Sequence, residues 1–369
     1  LLISVAITFT TALSLSSITT NVRIGAGGAF SIISKSLGLE IGGAIGIPFY
    51  IAQALAVAMY VFGFREGLNS ILPSLNPLLL DIIIFSVVMT IAFKSTSFAF
   101  KIQYVILGII VLSLISIYGA LFVNDLNYDF ELFGQYPGSI ENSFSGTSFW
   151  VVFAVFFPAV TGFTAGIAMS GDLENPKRSI PRGTLYAIGV GLIVYIGLAV
   201  FMAFTIDSEV LKTDNNILMK IALFAPAVVA GIWGATLSSA LGGILGGPRI
   251  LQAMSIDKVT PTIFGKGKGT NNEPVYALFL AFIIAEMGIL IGELDVIARV
   301  VSMFYLTAYG FINISFFLES WANPDFQPKF KVKRWIGLIG FIACFVVMFK
   351  LDMMAMIAAL AVISAMYFG

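Results

Sequence analysis

The chain has 369 residues, of which 59% are hydrophobic and only 11% are charged, and its formal net charge is zero. Soluble domains carry about 25% charged and about 45–50% apolar residues, so this composition indicates an integral membrane protein. The chain has no histidine and one cysteine, Cys344, which excludes an internal disulfide, a cysteine metal site and a histidine proton relay. We therefore expect no transition-metal site.

Apolar runs of roughly 20 residues recur along the chain, which favours membrane-spanning helices over a β-barrel. Hydropathy predicts eleven segments, the fifth of them interrupted. They cover residues 1–20, 41–63, 77–93, 102–123, 148–171, 184–206, 221–247, 274–292, 297–318, 335–349 and 351–368. The connections are too short to bury a core of their own, so we expect a single transmembrane domain and no soluble domain.

Basic residues are distributed unevenly between alternate connections. One set of connections holds fifteen Lys and Arg residues, and the other set holds four. The richer set contains Arg23, Lys35, Lys94, Lys101, Lys177, Arg178, Arg182, Arg249, Lys258, Lys266, Lys268, Lys329, Lys331, Lys333 and Arg334. Because cytoplasmic loops carry the excess of positive charge, this set is predicted to lie in the cytoplasm.

The fifth segment contains helix-breaking residues at mid-membrane depth, in the stretch "FFPAVTGFTAG". Pro158 removes a backbone donor and Gly162 weakens the helix, while Thr161 and Thr164 place two hydroxyls beside the break. In transporters, the freed carbonyl groups of a broken helix bind cations and its freed amide groups bind anions. An ion site and a simple proline kink are the two alternatives for this segment.

A second pattern, "GATLSSALGG", places small and hydroxyl-bearing residues about one helical turn apart. Ala235 shares a helix face with Ser238 or Ser239. Hydroxyls together with a carbonyl suit a small hard cation such as Na⁺, which takes oxygen ligands. Close packing of helices through small residues is the alternative, and the spacing alone favours it.

Two tyrosines and a glycine-rich stretch are further features of the sequence. Tyr309 lies in the middle of its segment, where a buried phenol needs a hydrogen-bond partner. Tyr60 ends its segment, where an interfacial aromatic residue is the alternative to a buried one. The stretch "RIGAGGAF", residues 23–30, follows no strand and lacks the lysine of a phosphate-binding loop, so a tight turn or hinge is predicted.

Five stretches of the sequence resemble the cation-chloride cotransporters of the amino acid-polyamine-organocation superfamily. They are "GAGGAFSIISKSLGLEIGGAIG", "AQALAVAMYVFGF", "FFPAVTGFTAGIAMSGDLENPKRSIPRGT", "LSSALGGILGGPRILQAMSIDKVTP" and "SMFYLTAYGFIN". The resemblance implies an all-α, LeuT-type fold with two inverted repeats and two further helices. Residues 1–123 would be the remainder of the first repeat, 148–320 the second repeat and 335–369 the additional helices. Eleven transmembrane helices would then be present, with the first helix of the fold missing.

The resemblance also implies three sets of ion ligands. The implied K⁺ ligands are Tyr60, Pro158 and Thr161; the Cl⁻ ligands are Gly162, Phe163, Thr164 and Tyr309; and the Na⁺ ligands are Ala235, Ser238 and Ser239. The potassium-chloride branch of the family lacks the paired serines, and the sodium-chloride branch lacks the tyrosine at position 60. The combination is similar to the sodium-potassium-chloride type.

The resemblance therefore predicts a secondary active transporter for Na⁺-coupled symport of K⁺ and Cl⁻ by alternating access, with the ions bound at the broken helix 148–171. Such a protein is not an enzyme, needs no cofactor and is a multi-pass protein of the plasma membrane. Its expected partners are the lipid bilayer, inorganic ions and a second copy in a homodimer, with no nucleic acid. A Na⁺-coupled amino-acid or organic-solute permease on the same fold and an inactive structural or regulatory subunit are the alternatives.

Overall fold

The computed structural model describes residues 1–21, 27–69, 76–94, 96–123, 149–168, 170, 173–214, 216–269 and 272–368. Within these ranges the regular elements are helices, and the only β pairing is an isolated bridge between Lys268 and Glu273. The α-helices are α1 (Leu2–Asn21), α2 (Gly28–Leu37), α3 (Leu39–Asn69), α4 (Pro77–Lys94), α5 (Thr96–Gly119), α6 (Phe149–Phe156), α7 (Phe163–Ala168), α8 (Pro176–Thr205), α9 (Ser208–Thr213), α10 (Ile217–Ile221), α11 (Ala225–Ile256), α12 (Val275–Ile291), α13 (Leu294–Ala322), α14 (Trp335–Leu351) and α15 (Met353–Phe368).

Six helical stretches of the described chain are long and apolar enough to cross a membrane. They are Leu2–Asn21, Leu39–Asn69, Lys101–Phe122, Pro176–Thr205, Ala225–Ile256 and Leu294–Ala322. Four shorter apolar helices, Pro77–Ala92, Phe149–Val160, Val275–Ile291 and Trp335–Leu351, fall below the roughly 20 residues that a bilayer core requires of an untilted helix. The prediction of an all-helical membrane protein is confirmed, while the count of eleven spans stays a prediction.

Several helices extend beyond the apolar runs that predicted them. Helix α8 begins at Pro176 rather than near residue 184, because proline is favoured at the first position of a helix and a polar end adds no hydropathy. Helix α2 was not predicted at all, since its ten residues include three serines and a lysine. Residues 23–26 of the predicted glycine hinge lie outside the described residues, so that hinge stays a prediction.

Helix α3 is the centre of the packing and contacts α2, α4, α11, α12, α13 and α15. Its approach to α11 depends on small residues. A Cβ atom added at Gly243 would lie 3.2 Å from the carbonyl oxygen of Gln53, and one added at Gly247 would lie 3.1 Å from the Gln53 Cβ. Membrane helices without a hydrophobic driving force associate through such close backbone contacts. Gly243, at the end of the "GATLSSALGG" stretch, and Gly247, one turn later, therefore belong to the surface of α11 that packs on α3.

A polar joint connects α1, α13 and α14 inside the bundle. The Ser14 hydroxyl donates to the Asn313 Oδ1 at 2.7 Å, and the Asn313 Nδ2 donates to the Thr11 hydroxyl at 2.9 Å. All three side chains are fully buried. Gly340 of α14 packs directly on this amide, because a Cβ there would lie 2.7 Å from the Asn313 Nδ2. The joint satisfies a buried amide in a region where water cannot do so.

Candidate functional site

The predicted interruption of the fifth segment is present. Helix α6 ends at Phe156, a 3₁₀ turn covers Phe157–Val160, and helix α7 begins at Phe163. Thr161 and Gly162 belong to neither helix. Proline cannot donate a backbone hydrogen bond, and glycine costs about 1 kcal/mol in a helix relative to alanine, so both residue types favour a break here.

Hydrogen bonds within the break fix the orientation of its two hydroxyls. The amide and the hydroxyl of Thr161 both donate to the Pro158 carbonyl oxygen, at 3.2 and 2.8 Å. In the same way, the amide and hydroxyl of Thr164 donate to the Thr161 carbonyl oxygen, at 3.2 and 3.0 Å. Because each hydroxyl gives its proton to a carbonyl, its oxygen acts as an acceptor, either for a cation or for a second hydrogen-bond donor.

Tyr309 connects helix α13 to the break. Its hydroxyl donates to the Thr161 carbonyl oxygen at 3.2 Å, and the side chain is fully buried. The ring lies among other aromatic rings, with centroids 6.1 Å from Phe157, 5.5 Å from Phe163 and 5.8 Å from Tyr305. The phenol that the sequence places in mid-segment thus has the hydrogen-bond partner that its burial requires.

Tyr60 also lies near this cluster of phenols. It is half-buried on α3, and its hydroxyl lies near those of Tyr195 and Tyr305. Tyr305 in turn interacts with the side chains of Thr161 and Thr164. The structure therefore brings Tyr60 into the polar surroundings of the break, although no direct hydrogen bond joins it to Pro158 or Thr161 in the described chain.

Three polar residues at the break were missed by the sequence analysis. Tyr305 lies one helical turn before Tyr309 on the same face of α13. Gln53 of α3 donates from its Nε2 to the Thr164 hydroxyl at 3.4 Å, and Tyr195 of α8 donates to the Ala159 carbonyl oxygen at 3.0 Å. The sequence contains one indication of each residue, since each is a polar side chain within an otherwise apolar run.

A cavity of about 240 Å³ opens beside the break, between α1, α7 and α8. Gly162 and Phe163 line it together with Thr8 and Tyr195. Gly162 has open space where a side chain would be, because no atom lies within 4 Å of an added Cβ. The first amide groups of a helix have no acceptor within that helix, so the start of α7 presents N–H groups next to this space.

The cavity divides the predicted Cl⁻ ligands into two groups. Gly162 and Phe163 line it, whereas Thr164 and Tyr309 are buried on the side of the break that faces α3 and α13. The residues that line the cavity include no charged side chain. An ion bound there would meet hydroxyls, phenols, carbonyl oxygens and amide groups rather than a formal counter-charge.

The predicted Na⁺ ligands lie elsewhere on the described structure. Ala235, Ser238 and Ser239 are half-buried in the middle of α11. Ser238 lines a cleft of about 470 Å³ against α5, with Gln103 and Tyr104 among its neighbours. Helix α11 also packs on α7, but within the described chain no hydrogen bond or shared cavity joins the paired serines to Thr161 or Gly162.

A helical bundle with six long apolar helices and a broken helix packed against α1, α8 and α13 fits a membrane transporter. Such breaks are tolerated at membrane depth only where protein or a polar cavity surrounds the freed backbone.

The family model described as "Amino acid permease" matches residues 1–369, and the chain belongs to that family. Solute carrier family 12 member 2 of Squalus acanthias is 37% identical over 420 residues, which cover 98% of this chain and 35% of the relative. The Homo sapiens member 2 is 34% identical over 423 residues, covering 100% of this chain and 35% of the relative. Member 1 of Mus musculus is 34% identical over 409 residues, covering 95% of this chain and 37% of the relative.

These matches confirm the resemblance to the cation-chloride cotransporters, and they confirm a multi-pass protein of the plasma membrane. The relatives are solute carriers, which are transporters and not enzymes. The chain spans about a third of the length of the relatives it matches.

Proposed function

We propose that the chain is the membrane domain of a secondary active transporter that carries Na⁺, K⁺ and Cl⁻ together by alternating access. The observation that carries this proposal is the 33–37% identity to members 1 and 2 of solute carrier family 12, extending over nearly the whole chain. A LeuT-type arrangement of two inverted repeats, with eleven spans in this chain, belongs to the same proposal.

The break supplies the chemistry for a cation next to an anion. K⁺ is assigned to the Pro158 carbonyl, the Thr161 hydroxyl and the Tyr60 phenol, which are neutral oxygens of the kind that replace its hydration shell. Cl⁻ is assigned to the amide groups at Gly162, Phe163 and Thr164, with the Tyr309 hydroxyl as a further donor. The Thr164 amide and the Tyr309 hydroxyl donate to the Thr161 carbonyl oxygen in the structure, so both would have to exchange that hydrogen bond for one to Cl⁻. A cation and an anion bound to neighbouring residues of the break would stabilise each other strongly, because the dielectric constant inside the bundle is low.

Na⁺ is assigned to Ala235, Ser238 and Ser239 on helix α11. A backbone carbonyl and two hydroxyls provide the oxygen ligands that this small cation prefers. Support comes from the packing of α11 on α7. Because of this contact, a movement of the broken helix can be transmitted to the helix that carries the proposed Na⁺ ligands. Coupling then requires that the Na⁺ site and the break change their occupancy together.

The test is uptake of radioactive Rb⁺, a K⁺ substitute, by cells that express the full-length protein. Uptake is expected to require external Na⁺ and Cl⁻ together and to leave the membrane potential unchanged. Rb⁺ uptake that proceeds without Na⁺ and without Cl⁻ would overturn the proposal. Correct surface expression without uptake under any ion condition would instead support an inactive structural or regulatory subunit.

A second candidate is a Na⁺-coupled permease for amino acids or other organic solutes. The match to the amino acid permease model and the 240 Å³ cavity beside Gly162 favour it, since the amide groups there suit a carboxylate. This candidate predicts that amino acids, and not Cl⁻, support Na⁺-dependent uptake. Thermal stabilisation of the purified protein by Cl⁻ but by no amino acid would exclude it.

A further inference from the structure

A basic pocket of about 650 Å³ lies at the predicted cytoplasmic end of the bundle, and it shares no lining residue with the cavity beside the break. It is formed by the end of α1, the first turns of α8 and the connection between α13 and α14. Four cationic side chains line it, namely Lys177, Arg178, Arg182 and Lys329. The residues that line the pocket include no aspartate or glutamate.

The position of Lys329 is fixed by the hydrogen bonds of its own loop. The backbone amide of Phe330 donates to the Thr20 hydroxyl at 3.1 Å, and the amide of Gln327 donates to the Asn21 Oδ1 at 2.9 Å. These two bonds attach the loop to the end of α1, which itself packs on α8. The loop is therefore held with its lysine on the same pocket as the three cations of α8.

The four cations have no anionic partner in the described part of the chain. No ion pair or side-chain hydrogen bond is formed by any of them within the described ranges. The pocket also lies at the N-terminal end of α8, where the helix dipole adds partial positive charge. Four like charges around one space repel each other, so an anion with several negative charges would stabilise this end of the protein.

The wall of the pocket continues into a surface that suits an acyl chain. Arg182, Tyr186, Val190 and Ile193 follow each other at intervals of one helical turn, so they form one stripe along α8. The three apolar members are 73%, 61% and 72% exposed, respectively. A phospholipid is complementary to this arrangement. Its charged head group would lie at the cations of the pocket, and its apolar tails would lie along the exposed stripe that follows Arg182 on α8.

We propose that this pocket binds the head group of a multiply phosphorylated anionic phospholipid of the inner leaflet, with its tails along the stripe on α8. Basic pockets between membrane helices on the cytoplasmic side are suited to such head groups. Binding of the lipid brings together α1, α8 and the α13–α14 connection, independently of which solutes the protein carries.

The test measures binding of a phosphatidylinositol bisphosphate to the purified full-length protein in nanodiscs, with phosphatidylcholine alone as the blank. The double substitution Arg178→Gln with Arg182→Gln is expected to weaken binding about thirtyfold, from about 1 kcal/mol for each basic residue. The single variant Lys329→Gln provides an independent test at an exposed position of the loop. The matched control is Lys331→Gln with Lys333→Gln, which removes the same charge from the same loop outside the pocket.

Three outcomes would overturn the proposal. One is unchanged affinity in both the Arg178/Arg182 and the Lys329 variants. Another is an equal loss in the Lys331/Lys333 control, which would indicate general surface attraction. The third is equally tight binding of a soluble inositol trisphosphate, which shares the phosphates but has no tails, because that result would identify a free phosphate ligand in place of a membrane lipid.

Discussion

The hydroxyl of Tyr309 donates a hydrogen bond of 3.2 Å to the carbonyl oxygen of Thr161 and so joins helix α13 to the broken helix. The same carbonyl also accepts the amide and the hydroxyl of Thr164. One backbone oxygen thus collects three donors at the point where the helix is interrupted. Its geometry depends on residues from two distant parts of the sequence.

Replacing Tyr309 by phenylalanine is expected to weaken the proposed Cl⁻ site while leaving the fold intact. The loss of one hydrogen bond to an anion corresponds to a rise of roughly tenfold or more in the Cl⁻ concentration for half-maximal Rb⁺ uptake. Tyr50→Phe is the matched control, because the buried Tyr50 hydroxyl donates to the Ala277 carbonyl oxygen at 2.8 Å, away from the break. An equal change in both variants would contradict a role for Tyr309 in anion binding.

The double substitution Ser238→Ala with Ser239→Ala is expected to abolish the Na⁺ dependence of Rb⁺ uptake without preventing folding. Both side chains are half-buried, and alanine is a better helix former than serine, so helix α11 should form as before. Thr236→Ala serves as the control on the same helix, since its hydroxyl donates back to the Ile232 and Trp233 carbonyl oxygens, at 2.8 and 3.1 Å. If the double variant kept its Na⁺ dependence, the two serines would not be Na⁺ ligands, and close helix packing would explain them instead.

Thr161→Val and Tyr60→Phe are each expected to raise the K⁺ concentration for half-maximal uptake roughly tenfold, which corresponds to about 1.4 kcal/mol for one lost ligand. Thr90→Val is the matched control, because the exposed Thr90 hydroxyl on α4 donates to the Ser86 carbonyl oxygen at 2.8 Å. K⁺ titrations of uptake at saturating Na⁺ and Cl⁻ provide the measurement. Unaltered K⁺ dependence in both site variants would remove these residues from the cation site.

Gly340→Ala is expected to destabilise the protein by about 1–3 kcal/mol through overpacking against Asn313. The added Cβ would lie 2.7 Å from the Asn313 Nδ2 and disturb the polar joint with Ser14 and Thr11. Gly108→Ala is the control, since nothing lies within 4 Å of a Cβ there, and it should be neutral or stabilise α5 by up to about 1 kcal/mol. Thermal unfolding in detergent followed by Trp fluorescence distinguishes the two. Equal midpoints would show that the joint is not closely packed.

Acid is expected to destabilise the turn around Asp214, between α9 and α10. The hydrogen bond from Lys220 at 2.5 Å holds the pKa of the Asp214 carboxyl below its ordinary value of 3.8. A depressed pKa contributes stability that is present above the ordinary value and is lost as the pH falls through the folded value. Amide exchange at Asn216, corrected for its intrinsic pH dependence, should therefore accelerate only below about pH 3.8. Asp214→Asn should remove this acid step, and persistence of the step in that variant would assign it to another group.

The break was predictable from the sequence because its signals are local. Pro158 and Gly162 lower helix stability by themselves, whatever surrounds them. Tyr305, Gln53 and Tyr195 were not predictable as its partners, since each reaches the break from a separate helix and only the packing of α3, α8 and α13 brings them together. The extension of α8 to Pro176 was missed because hydropathy detects the apolar part of a helix and not its polar end.

The paired serines illustrate a different limit. Spacing alone favoured packing, the family resemblance favoured Na⁺, and the structure places Ser238 in a cleft against α5. Ligand chemistry and packing draw on the same small polar residues in membrane helices, so the residue types do not distinguish them. Only the ion dependence of variants separates the two.

Tyr309 and Asn313 are separated by one turn of α13, with Thr161 bonded to the first and Ser14 and Thr11 to the second. A rotation of α13 about its own axis would therefore release the break and α1 in the same movement. Intermediate angles would leave several buried polar groups without partners, which is costly in a membrane interior. Helix α13 therefore links the break to α1, because a rotation that breaks one of these sets of hydrogen bonds breaks the other as well.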